Sequence, residues 1–270
     1  MSRADSGPRP PGLALAAGLF SVVPMPPVTD LTQDDVRRAL TWLPTLGLVI
    51  GSTGGLAGGA VLWRTDADLL AAVVAVLAMQ ALVGAMHLDG LADAADGLAA
   101  LGSRKAGRDA ARAMAIMRAP DTGAMGVVAI VGVLLIDVAA LATAVNPRSL
   151  LVLAALAGLT GRLAILLATR PGVPAARPDG FGALFAGAAP LRQVVAQSVC
   201  GVLIAGVAGW WLGGWWAAAG LVAAVLVAQV AMAAWTGWLV RTLGGLTGDL
   251  FGAINEVAAA TFLVTAALLL

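Results

Sequence analysis

Seven apolar runs, each close to the length that crosses a bilayer, constrain the fold of this chain most strongly. A helix needs about 20 apolar residues to span the hydrocarbon core, and an open sheet leaves its edge hydrogen bonds unsatisfied in lipid. The sequence therefore predicts an all-α, polytopic integral membrane protein with about seven transmembrane helices and a single domain over 1–270. The predicted spans are 42–63, 69–87, 123–145, 150–169, 194–212, 215–239 and 253–270.

Basic residues predict how these spans are oriented, because loops rich in Arg and Lys stay on the cytoplasmic side. Thirteen basic residues fall in four segments: 1–41, 88–122, 170–193 and 240–252. The loops on the other side hold only Arg64 and Arg148. We therefore expect a multi-pass protein of the cytoplasmic (inner) membrane, with 1–41 as a cytoplasmic or interfacial segment. The net charge of +1 argues against a nucleic-acid partner.

An acidic motif follows the second apolar run, where the segment 87–97 reads HLDGLADAADG. On a continuous helix, Asp89, Asp93 and Asp96 fall within about 60° of one another on one face. Oxygen ligands at this density suit Mg²⁺, which takes one or two carboxylates together with substrate phosphates. A solvated acidic helix end is the alternative interpretation. His87 points to the opposite face, so it can act as a base only if Gly90 breaks the helix.

Two further polar segments provide candidates for binding a phosphate-bearing substrate on the predicted cytoplasmic side. Arg118 precedes a turn in which its guanidinium and the backbone of Gly123 and Gly126 could meet a phosphate. Gly182 lies in a polar interruption, 179–185, where glycine lets the backbone approach a ligand. A flexible loop is the alternative for this second segment. Arg104 adds positive charge, although it could equally serve only to set the topology.

Charged residues inside the apolar runs need a partner or a function. Arg162 lies about seven residues from the inner end of its span, so it could reach the cytoplasmic interface and add positive charge to the site. Asp137 is nearer the middle of its span, and the sequence names no partner for it. Glu256 lies seven residues beyond Asp249 and therefore on nearly the same helix face. A transporter that lines its path with such residues is one alternative function.

Taken together, these motifs resemble those of the cobalamin synthase family, the adenosylcobinamide-GDP ribazoletransferases. The resemblance covers nearly the whole chain and is most specific at 87–97 and at 241–253, which reads RTLGGLTGDLFGA. The other matching segments are 20–26, 116–126 and 179–185. Ala119 and Asp121 depart from the family pattern beside Arg118.

The resemblance implies transfer of adenosylcobinamide phosphate from adenosylcobinamide-GDP to a hydroxyl of α-ribazole or its 5′-phosphate, with release of GMP. It maps the family's acidic residues onto Asp89, Asp93, Asp96 and Asp249, and implies that Mg²⁺ is required. Such a displacement also needs a proton acceptor, for which Asp249 is the first choice and His87 the second. Arg118 and Arg162 would be the charge partners.

Further expectations concern partners and rival enzymes. The partners would be the two substrates and the lipid bilayer, with a homo-oligomer or an assembly with other cobalamin-pathway enzymes as an open question. A CDP-alcohol phosphotransferase is a second alternative, since the segment 93–100, DAADGLAA, matches the start of that signature. Leu101 stands where that signature requires arginine, and its later acidic residues are missing.

Overall fold

A computed structural model describes residues 10–26, 28, 30–101 and 110–270. Within them the secondary structure is helical, apart from an isolated bridge between Ala175 and Leu246. The helices are α1 (Gly12–Phe20), α2 (Gln33–Arg64), α3 (Asp68–Val83), α4 (Met86–Ala100), α5 (Ala110–Ile116), α6 (Ala124–Leu141), α7 (Pro147–Ala168), α8 (Gly180–Phe185), α9 (Leu191–Leu243) and α10 (Gly248–Leu269).

Among the described residues, five helices are long and apolar enough to cross a membrane, namely α2, α6, α7, α9 and α10. This confirms the all-α, polytopic membrane class. The 53-residue α9 has non-helical backbone at Gly213 and Gly214, and its two halves pack on each other there. Because Gly209 lies against Ala218, the chain reverses at this point. The two halves match the predicted spans 194–212 and 215–239, while the total of seven spans stays a prediction.

The second predicted span, 69–87, is wrong as a straight helix. Its helix α3 ends at Val83, and α4 leaves at an angle of 90° after a break of two residues. Gly84 and Ala85 both adopt left-handed backbone, with φ of 59° and 56°. Glycine adopts this conformation without a steric penalty, whereas alanine rarely does. The acidic motif therefore lies on a separate helix, across the end of the bundle where α6 and α10 begin.

Helix α7 forms the centre of the bundle, because 89% of its most apolar 18-residue stretch is buried. Glycines on α2 let the two backbones meet: a Cβ on Gly47 would lie 2.2 Å from the carbonyl oxygen of Gly158. Small residues at such contacts allow the close packing that stabilises helices in membranes. The outer faces of α6 and α9 are apolar and exposed, as expected for surfaces in contact with lipid.

Candidate active site

The candidate site lies where α4 crosses the beginning of α10. Two glycines make this crossing close. A Cβ on Gly90 would lie 2.7 Å from the carbonyl oxygen of Asp249, and one on Gly252 would lie 3.1 Å from that of His87. Helix α10 begins at this point because Thr247 caps it, its hydroxyl accepting a hydrogen bond from the Leu250 N–H at 3.3 Å. Asp249, in the first turn of α10, is thereby placed next to the acidic face of α4.

Three carboxylates meet at this crossing. Asp89 is exposed at the surface, and Asp93 and Asp249 are half-buried. Asp93 lies on α4, outside the five long apolar helices. Its partial burial, together with the charges of Asp89, Asp249 and Asp96, raises the pKa of Asp93 to about 6. Carboxylates that repel one another in this way have excess negative charge that a bound cation would neutralise. The structure therefore brings together two predicted residues from α4 and one from α10.

The donor chemistry of this cluster fits Mg²⁺, a hard cation that prefers oxygen ligands. Among the described residues, no group of three Asp, Glu, His or Cys side chains is arranged so that it could hold a metal ion by itself. Mg²⁺ does not require one, because it commonly takes one or two carboxylates and completes its coordination with water and substrate phosphates. One or two of the carboxylates of Asp89, Asp93 and Asp249 could therefore serve as its protein ligands.

Asp96 has a different environment from the other three carboxylates. Its two oxygens accept hydrogen bonds from the backbone N–H groups of Gly123, at 2.6 Å, and Gly126, at 2.9 Å. A Cβ on either glycine would lie 2.5 Å from a carboxylate oxygen of Asp96. Asp96 therefore fastens the beginning of α6 to α4. The two backbone N–H groups that the sequence analysis assigned to a substrate phosphate are used by Asp96 instead.

His87 does not meet the condition under which it could act as a base. Helix α4 continues unbroken through Gly90, so His87 stays on the face opposite the carboxylates. Its side chain is 3% exposed, and neither ring nitrogen has a hydrogen-bond partner among the described residues. It lines a pocket together with Asp89 and Asp249.

Arg177 is a site residue that the sequence analysis missed. It lines a polar pocket of about 130 Å³ together with Asp249 and Asp179, and its charge interacts with both carboxylates. One terminal nitrogen donates to the Met114 carbonyl oxygen at 2.9 Å, while the buried Nε has no partner among the described residues. Its position two residues before the 179–185 segment is the signal in the sequence that points to it, although a basic residue in a loop also fits a purely topological role.

Arg118 lies at the rim of the same region. It is exposed and forms an ion pair with Asp179, with 3.3 Å between Nη2 and Oδ1. Gly182 lines the polar pocket, but its main role is in packing. A Cβ there would lie 2.8 Å from the Leu246 carbonyl oxygen and 2.8 Å from Cα of Thr247. Arg104 lies outside the described residues.

The structure corrects the position of Arg162. The side chain is 3% exposed, so it is enclosed within the bundle and does not reach its surface. It lines an internal cavity of about 20 Å³ with Asp137 and Glu256. Glu256 accepts hydrogen bonds from Gln80 at 3.1 Å and from Asn255 at 3.0 Å. A cavity with room for about one water is too small for the transport path considered above.

Comparisons with known proteins bear on this site. Residues 12–267 match a family described as cobalamin-5-phosphate synthase. The chain is similar to three proteins named adenosylcobinamide-GDP ribazoletransferase. These are from Frankia casuarinae (35% identical, covering 92% of this chain and 91% of the relative), Geotalea daltonii (33%, covering 90% and 91%) and Nocardioides sp. (37%, covering 93% and 96%). No solved structure shows significant similarity to the chain.

Proposed function

Because this chain belongs to the cobalamin-5-phosphate synthase family and is a transferase of cobalamin synthesis, we propose that the α4–α10 crossing is its active site. The substrates would be adenosylcobinamide-GDP and α-ribazole or its 5′-phosphate. A hydroxyl oxygen of the acceptor forms a bond to the phosphorus that carries cobinamide. The bond from that phosphorus to the bridging oxygen breaks, GMP leaves, and the hydroxyl proton passes to a carboxylate.

The observation that carries this proposal is the meeting of Asp89, Asp93 and Asp249 beside Arg177. Transfer between phosphates needs negative charge neutralised on the phosphoryl oxygens and the nucleophile held in line with the leaving group. Arg177 lines the polar pocket, where the terminal guanidinium nitrogen that does not donate to the Met114 carbonyl can pair with a phosphate. Arg118 adds a second positive charge at the rim, where Asp179 holds it at 3.3 Å.

Asp249 is the proposed proton acceptor. It lines both the polar pocket with Arg177 and an adjoining apolar pocket, so it touches the space where two substrates would meet. Asp89 and Asp93 are the proposed ligands of Mg²⁺. When bound, this ion would neutralise charge on the diphosphate and on the leaving GMP. Asp96 is left out of the proposed ligand set because both its oxygens are used at the start of α6.

We further propose that the site faces the cytoplasm. The thirteen basic residues lie in the segments that flank it, and the loops at the other end of the bundle hold two. Cysteine variants Arg104→Cys and Asp66→Cys, made after replacing the native Cys200, should react oppositely with a membrane-impermeant thiol reagent in intact cells. Position 66 should be modified and position 104 protected. The reverse pattern would place the carboxylates outside and contradict the assignment.

Turnover in isolated membranes tests the function directly. Membranes that contain the protein should convert adenosylcobinamide-GDP and α-ribazole into adenosylcobalamin and release one GMP for each product molecule. Membranes from cells that carry an empty vector are the control. A parallel assay with α-ribazole 5′-phosphate shows which acceptor is preferred. If neither acceptor gives a corrinoid product while the inserted protein is detected, the proposed function is wrong.

A further inference from the structure

An apolar pocket of about 280 Å³ adjoins the carboxylates at the α4–α10 crossing. Its apolar walls include Phe20, Ile165, Phe181 and Phe251, and its polar side chains are His87, Asp89 and Asp249. We propose that this pocket binds the base of the acceptor nucleoside, a flat fused-ring base of low polarity, and so determines which acceptors the enzyme uses. The proposal rests on the function proposed above, which requires a nucleoside hydroxyl next to Asp249.

The size of the pocket separates the two substrates. Pockets that enclose small ligands measure about 300–1,000 Å³, so 280 Å³ is suited to a ligand the size of a nucleoside base. The corrin ring of the donor, with its amide side chains, is far larger than this. The donor could place only its guanine in this pocket. The acceptor, α-ribazole, could place only its base, which is a benzimidazole.

The polarity of the walls distinguishes between these two bases. Guanine has several hydrogen-bonding groups along its edge, and the apolar walls would leave most of them without partners. Its N–H groups could pair only with the carboxylates of Asp89 and Asp249, which the proposed function already uses as metal ligand and proton acceptor. A benzimidazole with one free ring nitrogen requires one hydrogen bond and otherwise makes apolar contact. The chemistry of the walls therefore favours the acceptor base.

His87 lines the pocket and would supply the one hydrogen bond that such a base requires. Both of its ring nitrogens lack partners among the described residues, and the side chain is 3% exposed. A buried polar group in a native protein is normally satisfied, so a bound ligand is the expected partner here. A neutral imidazole has one N–H donor, which matches the single acceptor nitrogen of the base. This gives the buried histidine a function that does not depend on its acting as a base.

Phe181 forms the stacking surface. Its ring stacks on Phe185, with 4.3 Å between centroids, and meets Phe20 edge-on at 5.5 Å. Those two rings are buried, whereas Phe181 is 37% exposed. The Phe181 ring is therefore held in place by these two buried rings while part of its own surface stays accessible, as required of an aromatic side chain on which a base stacks. It lines both the apolar pocket and the polar pocket with Arg177, so it separates the base from the diphosphate.

Steady-state kinetics with the two substrates varied separately test this assignment. Phe181→Ala should raise KM for α-ribazole by about tenfold or more, the effect typical of losing one base–aromatic stack. KM for adenosylcobinamide-GDP should stay nearly unchanged. Phe181→Leu should fall between the two. Leu184→Ala, on the same short helix but outside both pockets, is the matched control and should leave both KM values as in the wild type.

Acceptor analogues test the role of His87 without requiring a variant to fold. The wild type should bind α-ribazole in calorimetry and should bind an indole ribonucleoside, which lacks the free ring nitrogen, at least tenfold more weakly. In His87→Leu that difference should disappear. Equal binding of the two nucleosides to the wild type, or a rise in KM for adenosylcobinamide-GDP in Phe181→Ala, would overturn the proposal. Failure of the wild type to form cobalamin would instead overturn the proposed function.

Discussion

Asp249→Asn is expected to slow turnover by about 10²–10⁴-fold, the usual cost of removing a general base. Asparagine has nearly the same shape but cannot accept the proton of the acceptor hydroxyl. The Mg²⁺ concentration that gives half-maximal rate should stay close to that of the wild type, because the proposed metal ligands are Asp89 and Asp93. Single-turnover rates measured across a Mg²⁺ titration separate these two effects.

The position of Asp249 makes this test informative. The residue lies in the first turn of α10, and its backbone touches Gly90, so a change of charge without a change of shape leaves the crossing intact. Asp68→Asn, which removes an exposed carboxylate at the start of α3, is the control and should turn over normally. A steep rise in the Mg²⁺ requirement of Asp249→Asn, with the rate restored by added Mg²⁺, would make Asp249 a metal ligand instead of the base.

Most of the membrane-spanning architecture was predictable from the sequence because span length follows directly from helix rise and bilayer thickness. The reversal at Gly213 and Gly214 was predictable too, since exposed tryptophans flank it on both sides as in an interfacial belt. The 90° bend at Gly84 and Ala85 was not. Those two residues lie within a continuous apolar run, and only tertiary packing shows that both adopt left-handed backbone.

From residue spacing alone, the candidate site was predictable only where its residues share one helix; Asp249 came from the family resemblance. Helical spacing alone placed Asp89 and Asp93 together. The role of Asp96 depends on Gly123 and Gly126, about thirty residues away across a turn, and no spacing rule reveals such a contact. Arg177 was overlooked because a basic residue in a loop has a sufficient explanation in topology.

The prediction that Arg162 reaches the interface was wrong because it rested only on the distance of the residue from the end of its span. The sequence shows how far a residue lies from the end of its helix, but not which neighbouring helices enclose it. Arg162 lies on α7, the most buried of the five long helices, so its side chain is surrounded by other helices instead of reaching the interface. Its neighbours in the internal cavity, Asp137 and Glu256, come from α6 and α10.

Asp93→Asn should lower turnover by about 10²-fold or more, because metal ions supply several kcal/mol of transition-state stabilisation in such reactions. The variant should nevertheless insert and be at least as resistant to heat as the wild type when chelator is present. Partial burial and the charges of Asp89, Asp249 and Asp96 raise the pKa of Asp93 to about 6, and a neutral asparagine at this position is not repelled by those charges. Activity and thermal unfolding in detergent, each measured with Mg²⁺ and with chelator, test both statements.

The same raised pKa predicts a pH dependence that the variant should lose. A carboxyl group with a pKa of about 6 takes up a proton as the pH falls through that value, and a protonated carboxyl group is a poor metal ligand. The wild type should therefore need more Mg²⁺ below about pH 6 than at pH 8, and Asp93→Asn should not show this difference. A wild-type Mg²⁺ requirement that does not change between these pH values would remove Asp93 from the ligand set.

Asp96→Asn provides the contrast that makes these results specific to Asp93. It also removes one negative charge from α4, but asparagine keeps only one oxygen to accept from the N–H groups of Gly123 and Gly126. Each hydrogen bond to a charged group contributes about 1.5–3 kcal/mol, so this variant should unfold at a lower temperature with its Mg²⁺ half-saturation nearly unchanged. An Asp93→Asn variant at least as heat-resistant as the wild type, together with a less heat-resistant Asp96→Asn variant, would separate metal binding at Asp93 from helix anchoring at Asp96. If both variants instead lose Mg²⁺ affinity to the same degree, Asp96 belongs to the metal site after all.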